Sequence, residues 1–268
     1  MESYIPHRQR LWLYILVGLV IFYLVVPTLI VVPVSFTSTT ALLFPPPSWS
    51  TRWYEAFFQQ EKWTGSLWVS IRVGFGTMVL ATVTGIAAAY ALHVSAIRMR
   101  GLINWTLISP LAVPSILIAV GIFFVYAKIG GLLNTITGLI LAHTVVAMPF
   151  VILTMAAGFK TYDMTQEMVA RSLGADRFKA FMTVTLPQLK FSVATSMLLA
   201  FLISFDEVII SLMVSSGPVS TLSRVTFSTL RDDVDPTLAA VSTLMLVVTS
   251  VPPLLLHIAA NRARRKNA

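Results

Sequence analysis

Cysteine is absent from this 268-residue chain, so neither a disulfide framework nor a thiolate metal site is available to it. Charge is scarce: 11% of residues are Asp, Glu, Lys or Arg, against roughly 25% in a soluble domain. The phosphate-loop pattern G-x-x-x-x-G-K-[ST] does not occur, so the chain has no P-loop with which to hold ATP. No His, Asp or Glu set has metal-ligand or catalytic spacing, and neither a cofactor nor a metal is expected.

What fills the chain is apolar. Hydrophobic residues make up 56% of it and the mean hydropathy is +0.82, the composition of a polytopic membrane protein. A helix crossing the hydrocarbon core needs about 20 mostly apolar residues. Six segments meet that length: Leu11–Val34, Leu67–Leu92, Leu102–Tyr126, Leu133–Ala157, Phe191–Val214 and Leu238–Ala260. Lipid offers the backbone no hydrogen-bond partners, so these runs should be helices and the fold all-α. Pro27, Pro110, Pro114, Pro149 and Pro252 lie within or near span ends and predict kinks. The first run is longer than a signal-peptide core and lacks a small-x-small cleavage site, so a retained span is expected.

Basic residues set the expected orientation, because Lys and Arg concentrate on the cytoplasmic side. Arg8, Arg10, Arg98, Arg100, Lys160, Arg171, Arg177, Lys179, Lys190, Arg262, Arg264, Arg265 and Lys266 fall on one face, 13 of the 19 basic residues. Arg52, Lys62, Lys128, Arg224 and Arg231 fall on the other, mixed with Glu55, Glu61, Asp232, Asp233 and Asp235. Both termini should therefore be cytoplasmic. The formal charge of +8 is then a topology signal, which removes nucleic acid as a partner and leaves the lipid bilayer.

Two outer loops and one inner loop interrupt the spans. Residues 36–66, with Pro45-Pro46-Pro47 and Trp49, Trp53, Tyr54 and Trp63, suit a stiff turn lying at the membrane interface. Residues 215–237 have room for a short surface helix, and Asp235-Pro236 should precede the last span. His93 and His143 are expected near span ends at the interface, and Tyr90 and Trp105 as interfacial anchors. Thr77, Thr82, Thr84 and Gly85-x-x-x-Ala89 read as a small-residue helix-packing face.

The inner loop EMVARSLGADRFKAFMTVTLPQ, Glu167 to Gln188, is charged and helix-favouring. Thr165 can cap its first helix, and Glu167 and Arg171 stand at i,i+4, worth a few tenths of a kcal/mol. Gly174 permits a tight turn at positive φ. Asp176 can cap a second helix with Phe178, Phe181, Met182 and Val184 as its buried face, until Pro187 ends it. On these residues alone the loop is either a docking helix–turn–helix or an amphipathic connector held against the headgroups.

The spacing Gly174-Ala175, Phe181, Leu186-Pro187 resembles the E-A-A-x-x-x-G-A loop of bacterial ABC importer inner-membrane permeases, the MetI-like superfamily. Ser66–Leu92, SLWVSIRVGFGTMVLATVTGIAAAYAL, resembles the span that opens the shared core of that family. FPPPSWSTRWYEAFF and LLAFLISFDEVIISLMVSSGP resemble its spermidine/putrescine-type branch, the C permease above all. The resemblance implies a type I ABC importer architecture: one permease domain over 1–268, a first peripheral span at 11–34, a five-span core at 66–260 and a cytoplasmic coupling loop at 160–188. It also implies location in the bacterial inner membrane, two ATP-binding subunits, a second, homologous permease as heterodimer partner and a periplasmic substrate-binding protein. The ATPase-coupling residues it implies are Glu167, Ala170, Leu173, Gly174, Ala175, Leu186 and Pro187. One departure stands out. Met168, Val169 and Ala170 occupy the E-A-A positions, and Glu167 comes one residue early, a rotation of about 100° around a helix. The small-residue ridge is therefore expected to carry docking rather than Glu167.

Asp206 and Glu207 are the sharpest chemical feature of the spans, since a charge at the bilayer centre costs about 2.5–3.5 kcal/mol on insertion scales. They fall about 22 Å along span five, in its outer half. One reading pairs Arg72 with one of them as a structural ion pair. The other puts Asp206 or Glu207 on the substrate path, attracting a cationic solute such as a polyamine. Thiamine, ferric-iron, phosphonate or opine permeases are the nearest alternatives. A secondary carrier would be expected to show internal inverted repeats or broken helices, neither of which is clear along the chain; an intramembrane enzyme would need a facing catalytic set, which is not evident, and the chain is expected not to be an enzyme.

Overall fold

The computed structural model describes residues 10–95, 97–232 and 235–266, and among these it is all-α, with one isolated β-bridge between Thr37 and Trp49. Arg8 and Asp233 lie outside the described residues, as do the side chains of Arg264, Arg265 and Lys266. Among the described residues, four helices are long and apolar enough to cross a membrane uninterrupted: Leu11–Ser35 (α1), Glu61–Val94 (α3), Ile136–Thr161 (α6) and Thr237–Ala260, the apolar part of a helix running Thr237–Lys266. The remaining two expected spans are broken, which brings the number to six when each bent pair is taken as one.

The first break goes beyond the kink expected at Pro110 and Pro114, and with the other it overturns the expectation of no broken helices that was set against a secondary carrier. Arg100–Ile108 (α4) and a 3-10 turn at Ser109–Leu111 meet Ser115–Ile129 (α5) at 98°. Pro110 and Pro114 explain the break, since neither ring nitrogen can donate and each disfavours helix in the residue before it. Pro27, Pro149 and Pro252 are instead accommodated inside their helices.

The chain divides into two units. One comprises residues 1–60 and 229–247. In it α1 is followed by Arg52–Gln59 (α2), and the connecting loop is tied by the Ser35 hydroxyl 2.6 Å from the Tyr54 hydroxyl and by Arg52 donating to the Ser38 carbonyl at 2.7 Å. Trp53 is buried, whereas Trp49 is 68% exposed, so the aromatic loop is only partly the interfacial turn expected.

The other unit, residues 61–228 and 248–268, is built on α3 and α6. Trp63 at the start of α3 is fully buried, against the expectation of an interfacial anchor. Ala81, Gly85 and Ala89 face Ala147, Val151 and Met155, so the small-residue stripe does let two backbones approach. Beyond α6 come Thr165–Ser172 (α7), Arg177–Ala180 (α8), a π-turn at Phe181–Thr185 and Leu186–Gln188 (α9). Lys190–Asp206 (α10) then leaves the 177–188 segment at 82° and packs on α3 and α6. Ile209–Val214 (α11) follows after a second break, and Leu222–Asp232 (α12) is the short helix expected in the 215–237 loop. Asp235 accepts the Thr237 N–H at 2.8 Å and starts the last span, Thr237–Lys266 (α13), where Asp235-Pro236 suggested.

Candidate functional site

The loop Glu167–Gln188 folds as a helix–turn–helix. Gly174 has φ +97°; the Ala175 N–H donates to the Ala170 carbonyl and the Gly174 N–H to the Arg171 carbonyl, both at 3.1 Å. These are the two bonds of a Schellman cap, in which the residue after the helix must take a left-handed conformation that glycine adopts without steric cost. Asp176 accepts the Lys179 N–H at 2.8 Å and caps α8 as expected. The first cap differs: Asp163, not Thr165, is the acceptor, taking the Thr165 N–H at 3.0 Å. Bonds from Thr165, its side-chain hydroxyl foremost and its N–H second, hold the Asp163 carboxyl below the usual carboxylate range.

The faces of the loop are also redistributed. Ala180, Thr185 and Leu189 are buried, while Phe178 is 73% and Met182 44% exposed, so the expected buried face is in part the outer one. Leu173 is 83% exposed and stands with Met168 and Val169 on the outer surface of α7. A shallow groove of about 420 Å³ lined by Gln166, Val169, Ala170, Leu173 and Val184 runs beside them. The chain bends after Pro187, at Leu189.

Glu167 points the other way. It is 2% exposed and accepts the Tyr90 hydroxyl of α3 at 2.5 Å and the Thr185 hydroxyl at 2.6 Å. No ion pair with Arg171 forms among the described residues, because the carboxylate is turned into the protein. Tyr90, expected as an interfacial anchor, is instead a partner inside this junction.

The break between α10 and α11 places the two acids, Asp206 and Glu207. Glu207 is extended (φ −71°, ψ 111°), and its carboxylate turns back to accept the Ile210 N–H at 3.0 Å, capping α11. Its carbonyl, freed by the break, accepts the Ser211 and Ser223 hydroxyls at 3.0 and 3.2 Å. The two acids therefore do not occupy successive faces of one helix, as a continuous span five would require. Asp206, the last residue of α10, is exposed and lines an open groove of about 460 Å³ with Leu202, Ile203, Glu207 and Thr249. The expected Arg72 ion pair is absent: Arg72 is exposed, and Arg231–Asp232 is the ion pair found among the described residues. A larger cavity of about 750 Å³ between α6, α10 and α13 has Ser, Thr, His and apolar walls and no acidic residue.

His143 is a residue that sequence reasoning misplaced. It is fully buried in α6, 2.8 Å from the Ser204 hydroxyl of α10 and 3.1 Å from the Ser211 hydroxyl of α11, so it spans the break. Ser204 in turn donates to Thr77 of α3 at 3.3 Å. The available signal was an ionisable side chain inside an apolar run, which normally faces a partner. His93 stacks on Phe159 at 5.3 Å.

Comparison with known proteins agrees with the fold. Residues 81–265 match the family described as binding-protein-dependent transport system inner membrane component. The chain is 26% identical over 249 residues to the putrescine transport system permease protein PotI of Escherichia coli (strain K12), covering 90% of this chain and 88% of that protein. It is 28% identical over 228 residues to the spermidine/putrescine transport system permease protein PotC of Haemophilus influenzae, covering 85% and 88%. In three dimensions it superposes, with a TM-score of 0.70 and 16% identity, on a chain of a bacterial ABC transporter involved in the import of the acidic polysaccharide alginate, covering 97% of this chain and 99% of that one.

Proposed function

We propose that this chain, which belongs to the family of binding-protein-dependent transport system inner membrane components, forms half of the translocation path of an ATP-driven importer for a small cationic solute, a polyamine by preference. It is a multi-pass membrane permease of the ABC importer type. The observation that carries the coupling part is the Schellman turn at Gly174, which presents exposed Met168, Val169 and Leu173 beside a groove on an otherwise charged loop. Apolar groups in that setting mark a docking surface. Energy must come from elsewhere, since the chain has no P-loop.

The ATPase subunits, two per assembly, would seat on Ala170, Leu173, Gly174 and Ala175, with Leu186 and Pro187 closing the loop. A second permease would complete the path and a periplasmic binding protein would deliver the solute, all in a bacterial inner membrane. Glu207 is committed to the α11 cap, so Asp206 is the acid left to meet a cation in its groove. The fold alone does not choose the solute, because the alginate importer shares it.

The test is expression of the chain with its neighbouring transporter genes, purification by a tag on the permease, and assay in proteoliposomes. ATPase copurification and ATP-dependent uptake of radiolabelled putrescine or spermidine are expected. Copurification with uptake of a different solute class would keep the permease reading and overturn the polyamine one. No copurifying ATPase would overturn the coupling role.

A further inference from the structure

We infer that Glu167 works from inside the protein, as a latch that makes α7 and the membrane span α3 move as one body. The inference rests on the coupling role proposed above. A carboxylate is expensive to bury, and one left without a cation is normally eliminated or compensated. Glu167 is 2% exposed, and among the described residues no Lys or Arg nitrogen lies within ion-pair distance of it. Its compensation is two hydroxyl donors, Tyr90 at 2.5 Å and Thr185 at 2.6 Å. A leucine there would pack without that cost, so folding of the loop alone does not explain the acid.

The partners show what the arrangement does. Tyr90 is on α3, one turn beyond the Gly85 contact with α6, and its ring lies 4.5 Å from that of Phe181 and 5.9 Å from that of Phe159 on α6. Thr185 ends the π-turn between α8 and α9, and its hydroxyl is also 3.2 Å from that of Tyr162. Such π-turns are uncommon and occur often at functional sites. One carboxylate thus joins the first helix of the loop, the π-turn of the second and the inner end of a span. Hydrogen bonds to a charged acceptor in a site with little water are strong and directional. A displacement of α7 by a docked ATPase is therefore handed to α3 instead of being absorbed by the loop. Glu167 is a positioning residue in this scheme: it touches neither solute nor nucleotide.

The decisive variant is Tyr90→Phe, which removes the hydroxyl and keeps the ring against Phe159 and Phe181. In the assembled transporter in proteoliposomes, the readout is solute imported per ATP hydrolysed, normalised to copurified ATPase. Tyr90→Phe is expected to keep the ATPase bound and hydrolysing while that ratio falls at least fivefold. Thr185→Val should lower it in the same direction. Combining Tyr90→Phe with Glu167→Ala should fall no further than Glu167→Ala alone, because both cut the same link. A ratio for Tyr90→Phe within twofold of the parent would overturn the latch, as would simple additivity in the double variant. The coupling role itself fails separately, if the unmodified permease retains no ATPase.

Discussion

Gly85 of α3 sits so close to Val151 of α6 that a β-carbon on the glycine would lie 2.6 Å from one valine methyl and 2.8 Å from the valine β-carbon. The second atom belongs to the stem of the side chain and cannot swing away. Small residues at this crossing are what bring α3 and α6 together without a hydrophobic driving force from water. Gly85→Leu should therefore cost about 1–3 kcal/mol of overpacking, read as a lower unfolding midpoint in detergent and poorer yield. Gly101→Leu, where nothing lies within 4 Å of the added carbon, is the control and should leave the midpoint unchanged.

At Gly174 the constraint is of another kind. No atom lies within 4 Å of an added β-carbon, so the penalty of substitution is the positive φ alone. Left-handed backbone costs a β-carbon about 1–2 kcal/mol, and asparagine tolerates it best. Gly174→Val should lose most uptake while the permease stays folded and continues to be purified. Gly174→Asn should retain the greater part. Equal activity of the two variants would show that the turn conformation does not matter to coupling.

Asp206→Asn keeps the shape of the groove and removes its charge. Uptake of a cationic solute should show a KM raised at least tenfold, with ATP hydrolysis by the assembled complex preserved. Unchanged kinetics would take Asp206 off the path. Glu207→Gln should act differently, since an amide oxygen can still accept the Ile210 N–H. Its main effect is expected on stability, and a small one.

His143 is a stability prediction. Its imidazole joins α6 to both sides of the break between α10 and α11. Replacement by alanine leaves a cavity and takes one hydrogen bond from each serine, Ser204 keeping Thr77 and Ser211 the Glu207 carbonyl; the cost is the cavity plus about 0.5–1.5 kcal/mol for each bond lost. His143→Ala should lower the unfolding midpoint far more than His93→Ala, whose ring is only partly buried against Phe159.

Asp163 supplies a pH dependence. The side-chain hydroxyl of Thr165, and after it the Thr165 N–H, stabilise its charged form and lower its folded-state value, so these bonds add to stability above the unfolded value of about 4. That contribution is unchanged between pH 7 and about 5, and is lost as pH falls through the depressed folded value. Hydrogen exchange of α7 amides, corrected for intrinsic rate, should show fraying at the helix start only in that acidic range. Asp163→Asn, which keeps an acceptor oxygen, should abolish the pH dependence.

Much of this arrangement was legible along the chain. Apolar run length located the spans, because bilayer thickness and internal hydrogen bonding together demand about 20 helical residues. The positive φ at Gly174, the Asp176 cap, the short helix at 222–232 and the packing stripe through Gly85 are local or periodic features, and each follows from residue type and spacing. The helix breaks were hidden because proline marks a defect without giving its angle, and at Glu207 no proline marks it at all. A break in lipid stands only where neighbours take up the freed backbone groups, and those neighbours, Ser211 and Ser223, come from later in the chain.

By itself the sequence determined that the chain is a helical membrane protein with no P-loop motif, and where the loop Glu167–Gln188 must turn. Only the tertiary structure decided which way the acids point. Glu167 was displaced by one position from the expected register, a rotation of about 100°. Whether that turned it toward solvent or inward depended on Tyr90 and Thr185, 77 and 18 residues away, being held where their hydroxyls could receive it. Glu207 likewise became a cap and Asp206 a groove residue through a helix break whose partners lie on other elements. Periodicity describes a residue's angle on its own helix; the direction that angle faces is set by the helices packed around it.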